Sequence, residues 1–254
     1  MEILLLSLFA LWVYMTFLFV VALILKNNGV ADVGYGIGFV VFTYTAAYVS
    51  GLSLVSLFLL VPVTLWALRL ALRILRKNYG KPEDFRYKAW RDAWGSSFVV
   101  RSYFQVYILQ GLVIAIVSSA VVTGLVLGET LVTPLLTLGL LMWATGFYFE
   151  SVADAQLDSF IKNPDNKGKI LQSGLWKYSR HPNYFGESLM WFGLWVASIA
   201  FTPWVLLCVV SPLLITYLLL KVSGVPMLEK RWEGREDWEE YKKKTPVFIP
   251  RFWN

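Results

Sequence analysis

Hydrophobic residues in this chain come in long blocks, not in the alternation of a half-buried strand. Five stretches contain no Lys, Arg, Asp, Glu or His: Ile3–Leu25, Val33–Leu68, Ser102–Gly128, Thr130–Phe149 and Ser188–Leu220. A helix needs about 20 apolar residues to cross the hydrocarbon core of a bilayer. Three of the stretches suit one span each. The other two are too long for one. Val33–Leu68 has Ser50-Gly51 near its middle, and Ser188–Leu220 is interrupted by Thr202-Pro203. Membrane helices tolerate Gly and Pro, so these breaks alone do not make hairpins.

Charge placement decides between one span and two. Splitting both long stretches predicts seven spans, at about 3–25, 33–50, 52–75, 102–127, 130–158, 183–201 and 203–221, with a tail over 222–254. The polar segments then alternate between two sides, and all 23 Lys and Arg residues fall on one of them. The positive-inside rule makes that side the cytoplasm, with the N-terminus outside and the C-terminus inside. The opposite loops, near Ser50, Glu129 and Thr202, are short and almost uncharged. The expectation is an all-α polytopic membrane bundle of seven transmembrane helices, forming one integral-membrane domain over 1–254.

Composition agrees. The chain is 57% hydrophobic and 17% aromatic, with a mean hydropathy of +0.57. A soluble domain of this size needs a larger charged exterior. Glu2 replaces the basic start of a signal peptide, and the first apolar run is long enough to span. One cysteine, Cys208, leaves no intrachain disulfide, and one histidine, His181, excludes a multi-histidine metal site. A carboxylate metal site stays formally open. The net charge of +6 sits beside the spans, where it suits acidic membrane lipids as partners and gives no reason to expect nucleic acid.

Lipid anchoring does not explain the acids and asparagines mixed into the basic segments. In the first, 77–87, Gly80 and Pro82 mark a turn, and Arg76, Lys81 and Arg86 suit a phosphate as well as they suit water. In the second, Glu150, Asp154 and Asp158 are spaced four apart and form one stripe on a helix. Acids there oppose the helix dipole and sit at the membrane edge, which favours a role in binding hydroxyls, amides or a cation. The densest segment is Tyr178-Ser-Arg-His-Pro-Asn-Tyr-Phe-Gly-Glu187. Pro182 suits the first position of a helix. Its free N–H groups would then face Arg180 and His181, a natural anion site, with Asn183 and Glu187 on one face. The tail carries Lys230 and Arg231 close to the last span. Trp232, Trp238 and Tyr241 there suit a helix on the membrane surface, and 246–253 reads as an extended interfacial clamp.

Together these residues predict a mouth lined by Arg, Lys, Asn, Glu and Asp over an apolar interior. That suits a large anionic cofactor from the cytoplasm and a lipophilic small molecule from the bilayer. Arg180-His-Pro-Asn-Tyr-Phe-Gly-Glu187, the upstream Glu150, Asp154 and Gln156, and the loop Glu83-Asp-Phe-Arg-Tyr87 resemble the steroid 5α-reductase superfamily, closest to its bacterial branch. The resemblance covers roughly residues 75 to 254. It implies a seven-helix reductase with a cytoplasmic cofactor mouth, in a bacterial inner membrane. The reaction it implies is NADPH-dependent reduction of an activated carbon–carbon double bond in a lipid or steroid-like enone. It also implies cofactor contacts at Asn78, Lys81, Arg86, Glu150, Asp154, Tyr178, Arg180, His181, Asn183 and Glu187, with Lys230 and Arg231 in the tail. No Gly-x-Gly-x-x-Gly turn is present, so the soluble dinucleotide fold is not the route.

The second span carries no acid where the steroid reductases have a Gln-Glu pair. The hydroxyls of Tyr44, Tyr48, Tyr87 and Tyr184 are the alternatives for donating a proton; Tyr87 and Tyr184 are the catalytic candidates. The Arg-His-Pro-x-Tyr core and the Ile-Pro tail also resemble integral-membrane methyltransferases, so S-adenosylmethionine is the alternative cofactor. A transporter would need polar groups deep in several spans; here they gather at one face.

Overall fold

The computed structural model describes residues 1–128 and 130–252, so Glu129 in the predicted fourth-to-fifth loop and Trp253 of the predicted clamp lie outside the described residues. Every regular element among those residues is helical. The chain divides into two compact units. The first comprises Met1–Leu131 with Phe201–Cys208, and the second Val132–Ala200 with Val209 onward.

The first unit contains α1 (Glu2–Leu25), α2 (Gly29–Ser50), α3 (Leu57–Asn78), α4 (Phe85–Trp94), α5 (Phe98–Ser102), α6 (Leu109–Val117) and α7 (Ser119–Leu127). In α1 only Ser7, Leu11, Met15, Leu18 and Ala22 are buried, at the three- and four-residue spacing of one helix face. The other faces expose Leu5, Phe9, Phe17 and Ile24. A helix apolar all round with one packed stripe is stable in lipid, where exposed hydrocarbon costs nothing. The helix α2 is central. A Cβ added at Gly34 would meet Leu18 of α1, one at Gly36 would meet the Ala67 carbonyl of α3, and one at Gly38 would meet Ile114 of α6, each under 3.0 Å. Three neighbours thus approach α2 where it lacks side chains.

The second unit contains α8 (Thr133–Lys162), α9 (Pro182–Ile199), α10 (Val210–Tyr217), α11 (Val225–Glu229) and α12 (Glu236–Lys244). Its centre is the antiparallel pair α8 and α9.

Both predicted breaks are real. The helix α2 ends at Ser50, and Gly51 takes φ +93°; α9 ends at Ile199, and a 3-10 segment begins at Pro203. The helix α9 starts at Pro182, as its N1 preference predicts.

The span count differs from the expectation. Six helical stretches among the described residues are long and apolar enough to cross a membrane: Glu2–Leu25, Gly29–Ser50, Leu57–Asn78, Phe85–Val117, Thr133–Lys162 and Pro203–Trp232. The predicted sixth span, α9, is not among them, because its first two turns carry Asn183, Glu187 and Ser188. The predicted fourth span is also not one α-helix. A π-helical turn occupies Tyr103–Ile108, and the Ser118-Ser119 pair separates α6 from α7. Trp238 and Tyr241 are not laid on a membrane surface. Both are buried in the second unit, where the Tyr241 hydroxyl donates to the Trp176 carbonyl.

Candidate functional site at the seam of α8 and α9

The seam is built on missing side chains. Gly139 faces the Gly193 carbonyl and Ala197, and Gly146 faces the Gly186 carbonyl and Met190. A Cβ at any of these four glycines would lie 2.3–2.6 Å from backbone atoms of the opposite helix. Each helix carries its pair seven residues apart, two turns along one face. This backbone-to-backbone approach sets the register, and the register places the polar residues. Glu150 comes beside Gly186, and the Asn183 Nδ2 donates to Asp154 Oδ1 at 3.2 Å. Glu150, Asp154 and Glu187 are 3%, 4% and 9% exposed. Asp158, one turn further along the stripe, is only half-buried.

At the start of α9, a second cluster turns on Glu229 of α11. Its Oε1 accepts from Arg180 Nε at 2.9 Å and contacts His181 Nε2 at 2.9 Å. Arg180 Nη2 reaches Glu229 Oε2 at 3.4 Å, and its Nη1 donates to the carbonyls of Thr245 (2.9 Å) and Lys242 (3.4 Å). The guanidinium fork is therefore spent on holding α11 and the end of α12 to the start of α9. His181 is 4% exposed and stacks on Tyr184, with ring centroids 5.4 Å apart. Its Nδ1 is buried and makes no hydrogen bond among the described residues, and neither does Asn183 Oδ1. In a neutral imidazole that gives Nε2–H to Glu229, Nδ1 is left as an acceptor. Two buried polar atoms without partners thus lie two residues apart at one helix end, and each costs free energy until a partner reaches it. Tyr178 packs its ring on Phe252, at 4.8 Å, while Lys230 and Arg231 are exposed.

The remaining candidates lie in the first unit. Lys81 is exposed at the turn where Gly80 takes φ +69°, and Asn78 ends α3 half-buried. The loop motif Glu83-Asp-Phe-Arg-Tyr87 is engaged internally. Tyr87 donates to Asp32 Oδ1 at 2.6 Å, and Arg86 Nη2 pairs with Asp32 Oδ2 at 2.9 Å. Glu83 takes a two-pronged bond from Arg91 (2.8 and 3.0 Å) and accepts from the Asn28 amide (2.8 Å), while Tyr107 donates to Asn28 Oδ1. Asp84 caps α4 by accepting from the Arg86 amide. Partial burial works to raise the Asp84 carboxyl, but the bonds from the Arg86 side chain and backbone outweigh it and leave Asp84 below its ordinary value.

Sequence reasoning singled out Asp154, Asn183, Glu150 and Glu187, and the structure gathers them at one seam. Arg180 and His181 it gathers around Glu229, a residue passed over for its neighbours Lys230 and Arg231. Asp32, which anchors Arg86 and Tyr87, was missed as well. The available signal was the glycine spacing, Gly139 with Gly146 and Gly186 with Gly193. For Glu229 and Asp32 no local signal exists, because their partners are 48–55 residues away. Among the described residues no group of three or more His, Cys, Asp or Glu is placed to hold a metal ion.

Comparison with known proteins gives a family. The model of the family described as "Protein of unknown function (DUF1295)" matches residues 18–245, and the chain belongs to that family. A "Probable O-methyltransferase ustE" from Ustilaginoidea virens is 42% identical over 71 residues, which is 28% of this chain and 25% of that protein. The chain thus matches only about a quarter of that relative's length. No solved structure matches.

Proposed function

We propose that this member of the DUF1295 family is an integral-membrane, NADPH-dependent reductase of an activated carbon–carbon double bond in a lipophilic enone. The observation that carries the reading is the seam of buried Glu150, Asp154 and Glu187 with half-buried Asn183, whose Oδ1 is itself buried and has no hydrogen-bond partner among the described residues. A carboxamide and ribose hydroxyls are hydrogen-bond donors of neutral charge, and such a lining suits them. The residues fit that end of NADPH. The carboxylates are deep, while Lys230 and Arg231 of the second unit are exposed and can meet phosphates. When bound, NADPH supplies the hydride.

The protein's own part is positioning and proton supply. Asp154 holds the Asn183 amide so that Oδ1 accepts from the carboxamide. Glu150 and Glu187 accept from hydroxyls. The Tyr87 proton is already given to Asp32, so Tyr184, stacked on His181, is the phenol assigned to polarise the substrate carbonyl.

A second reading is methyl transfer, suggested by the short match to the relative named an O-methyltransferase. S-adenosylmethionine carries a sulfonium and an ammonium, and the buried carboxylates would suit either cation. Calorimetric titration of detergent-purified protein with NADPH, NADH and S-adenosylmethionine separates the readings. NADPH is expected to bind, and Asn183→Ala to weaken it about 2- to 12-fold, the worth of one hydrogen bond. Binding of S-adenosylmethionine alone moves the assignment to methyl transfer. NADPH binding that neither Asn183→Ala nor Glu187→Gln alters removes the seam from the site.

A further inference from the structure

A polar concavity in the second unit lies beside the Glu229 cluster and shares only Thr245 with it. Its volume is about 460 Å³, and its lining comes from three pieces of chain. Gln172 and Lys177 lie between α8 and α9, Tyr241 and Lys244 lie on α12, and Thr245 and Arg251 lie in the segment that follows.

The pocket is held open by bonds between those pieces. The Tyr241 hydroxyl donates to the Trp176 carbonyl, and the Arg251 amide donates to the Tyr178 carbonyl at 3.0 Å. Thr245 Oγ1 donates to the Lys177 carbonyl at 3.4 Å, and its amide donates to the Tyr241 carbonyl at 2.9 Å. Arg251 Nη2 donates to the Lys244 carbonyl at 2.8 Å. Tyr241 and Thr245 form a buried floor, 3% and 5% exposed. The concavity is therefore part of the fold and not a gap among loose side chains.

Its charge is one-sided. Three cations, Lys177, Lys244 and Arg251, converge on it, and no carboxylate lines it. Only Lys244 has an acidic partner, Glu240 one turn back, and that pair is about two-thirds exposed and weak. Among the described residues Lys177 and Arg251 have no acidic partner. The bond from one Nη2 hydrogen to the Lys244 carbonyl fixes the Arg251 guanidinium, and the second Nη2 hydrogen with its edge neighbour, Nε or Nη1, is left for a forked contact. A planar fork flanked by ammonium groups is the donor set that suits phosphate oxygens. The end of α12 would repel an anion through its dipole, but Arg180 and Arg251 cover its last carbonyls.

We propose that this pocket binds a phosphate group carried on a small organic moiety, with Arg251 and Lys177 as its main contacts. At about 460 Å³ it has room for more than the phosphate itself. A lipid headgroup and a soluble phosphate ester share this chemistry. In a protein with six membrane-length helices, anionic lipid is always within reach. The proposal stands independently of the reductase reading.

The test uses the full chain in a neutral detergent. Calorimetry measures binding of two probes, a short-chain soluble phosphatidylglycerol and glycerol 3-phosphate. Saturable binding of one equivalent of either is expected, and the probe that binds identifies the source. Lys177→Gln/Arg251→Gln should weaken it at least tenfold. Lys177→Arg/Arg251→Lys should largely retain it, which separates loss of charge from loss of fold. Lys167→Gln/Lys169→Gln removes the same charge elsewhere and should leave binding unchanged. The proposal is overturned if neither probe binds, if the Gln pair binds like wild type, or if the Lys167/Lys169 pair weakens binding as much.

Discussion

Replacing Gly186 by Ala puts a Cβ 2.5 Å from the Glu150 amide nitrogen, 2.5 Å from the Gly146 carbonyl oxygen and 3.0 Å from the Glu150 Cβ. Two of these neighbours are backbone, so no side chain can swing away. Ordinary contact begins at 3.4 Å, and the helices must therefore part by about 0.9 Å. The Asn183–Asp154 bond is already 3.2 Å long, and the same displacement breaks it. Overpacking of this kind costs about 1–3 kcal/mol, and the lost hydrogen bond about 1 kcal/mol more. Against this, Ala gains about 0.5–1 kcal/mol over Gly within a helix. The net expectation is a loss of about 1–3 kcal/mol, or roughly 3–10 °C in Tm for a chain of this length. Gly111→Ala is the matched control. It makes the same helical substitution in α6, and its Cβ meets only Met15 Cγ, at 3.4 Å. It should be neutral or raise the Tm slightly. Thermal unfolding of the two variants in one detergent reads the difference, and NADPH titration reads the seam. A Gly186→Ala protein with the Tm and ligand response of wild type would refute the argument that these glycines set the register of the site.

Two further substitutions probe the ion networks. Glu229→Gln removes the charge that Arg180 and His181 share, leaving Arg180 on two carbonyls; about 1–3 kcal/mol of stability should be lost in thermal unfolding, and an unchanged Tm would mean the cluster does not hold α11 to α9. Tyr87→Phe deletes the short bond to Asp32 but keeps the Arg86 pair; a loss of about 1.5–3 kcal/mol is expected in denaturant unfolding, and none would show that the Tyr87 bond does not hold α4 in place.

The local features of this chain were decided by its sequence. Blocks of apolar residues set where the helices lie, because a helix in lipid must satisfy its own backbone and hide no face. Ser50-Gly51 and Thr202-Pro203 set where two of them stop, since Gly51 takes a left-handed φ and Pro203 cannot continue the α9 hydrogen-bond ladder. Pro182 set where α9 starts, and the spacing of Glu150 and Asp154 set that they share a face. Which acid meets which amide was decided only by tertiary structure. Asp154 pairs with Asn183 because glycines two turns apart on α8 and α9 let the backbones touch in one register. Glu229 rather than Lys230 enters the cluster at the start of α9, and Asp32 rather than water receives Arg86 and Tyr87. Periodicity reports the face a residue occupies on its own helix, whereas a partner some 50 residues away is chosen by how helices pack, and that packing leaves no period in the sequence.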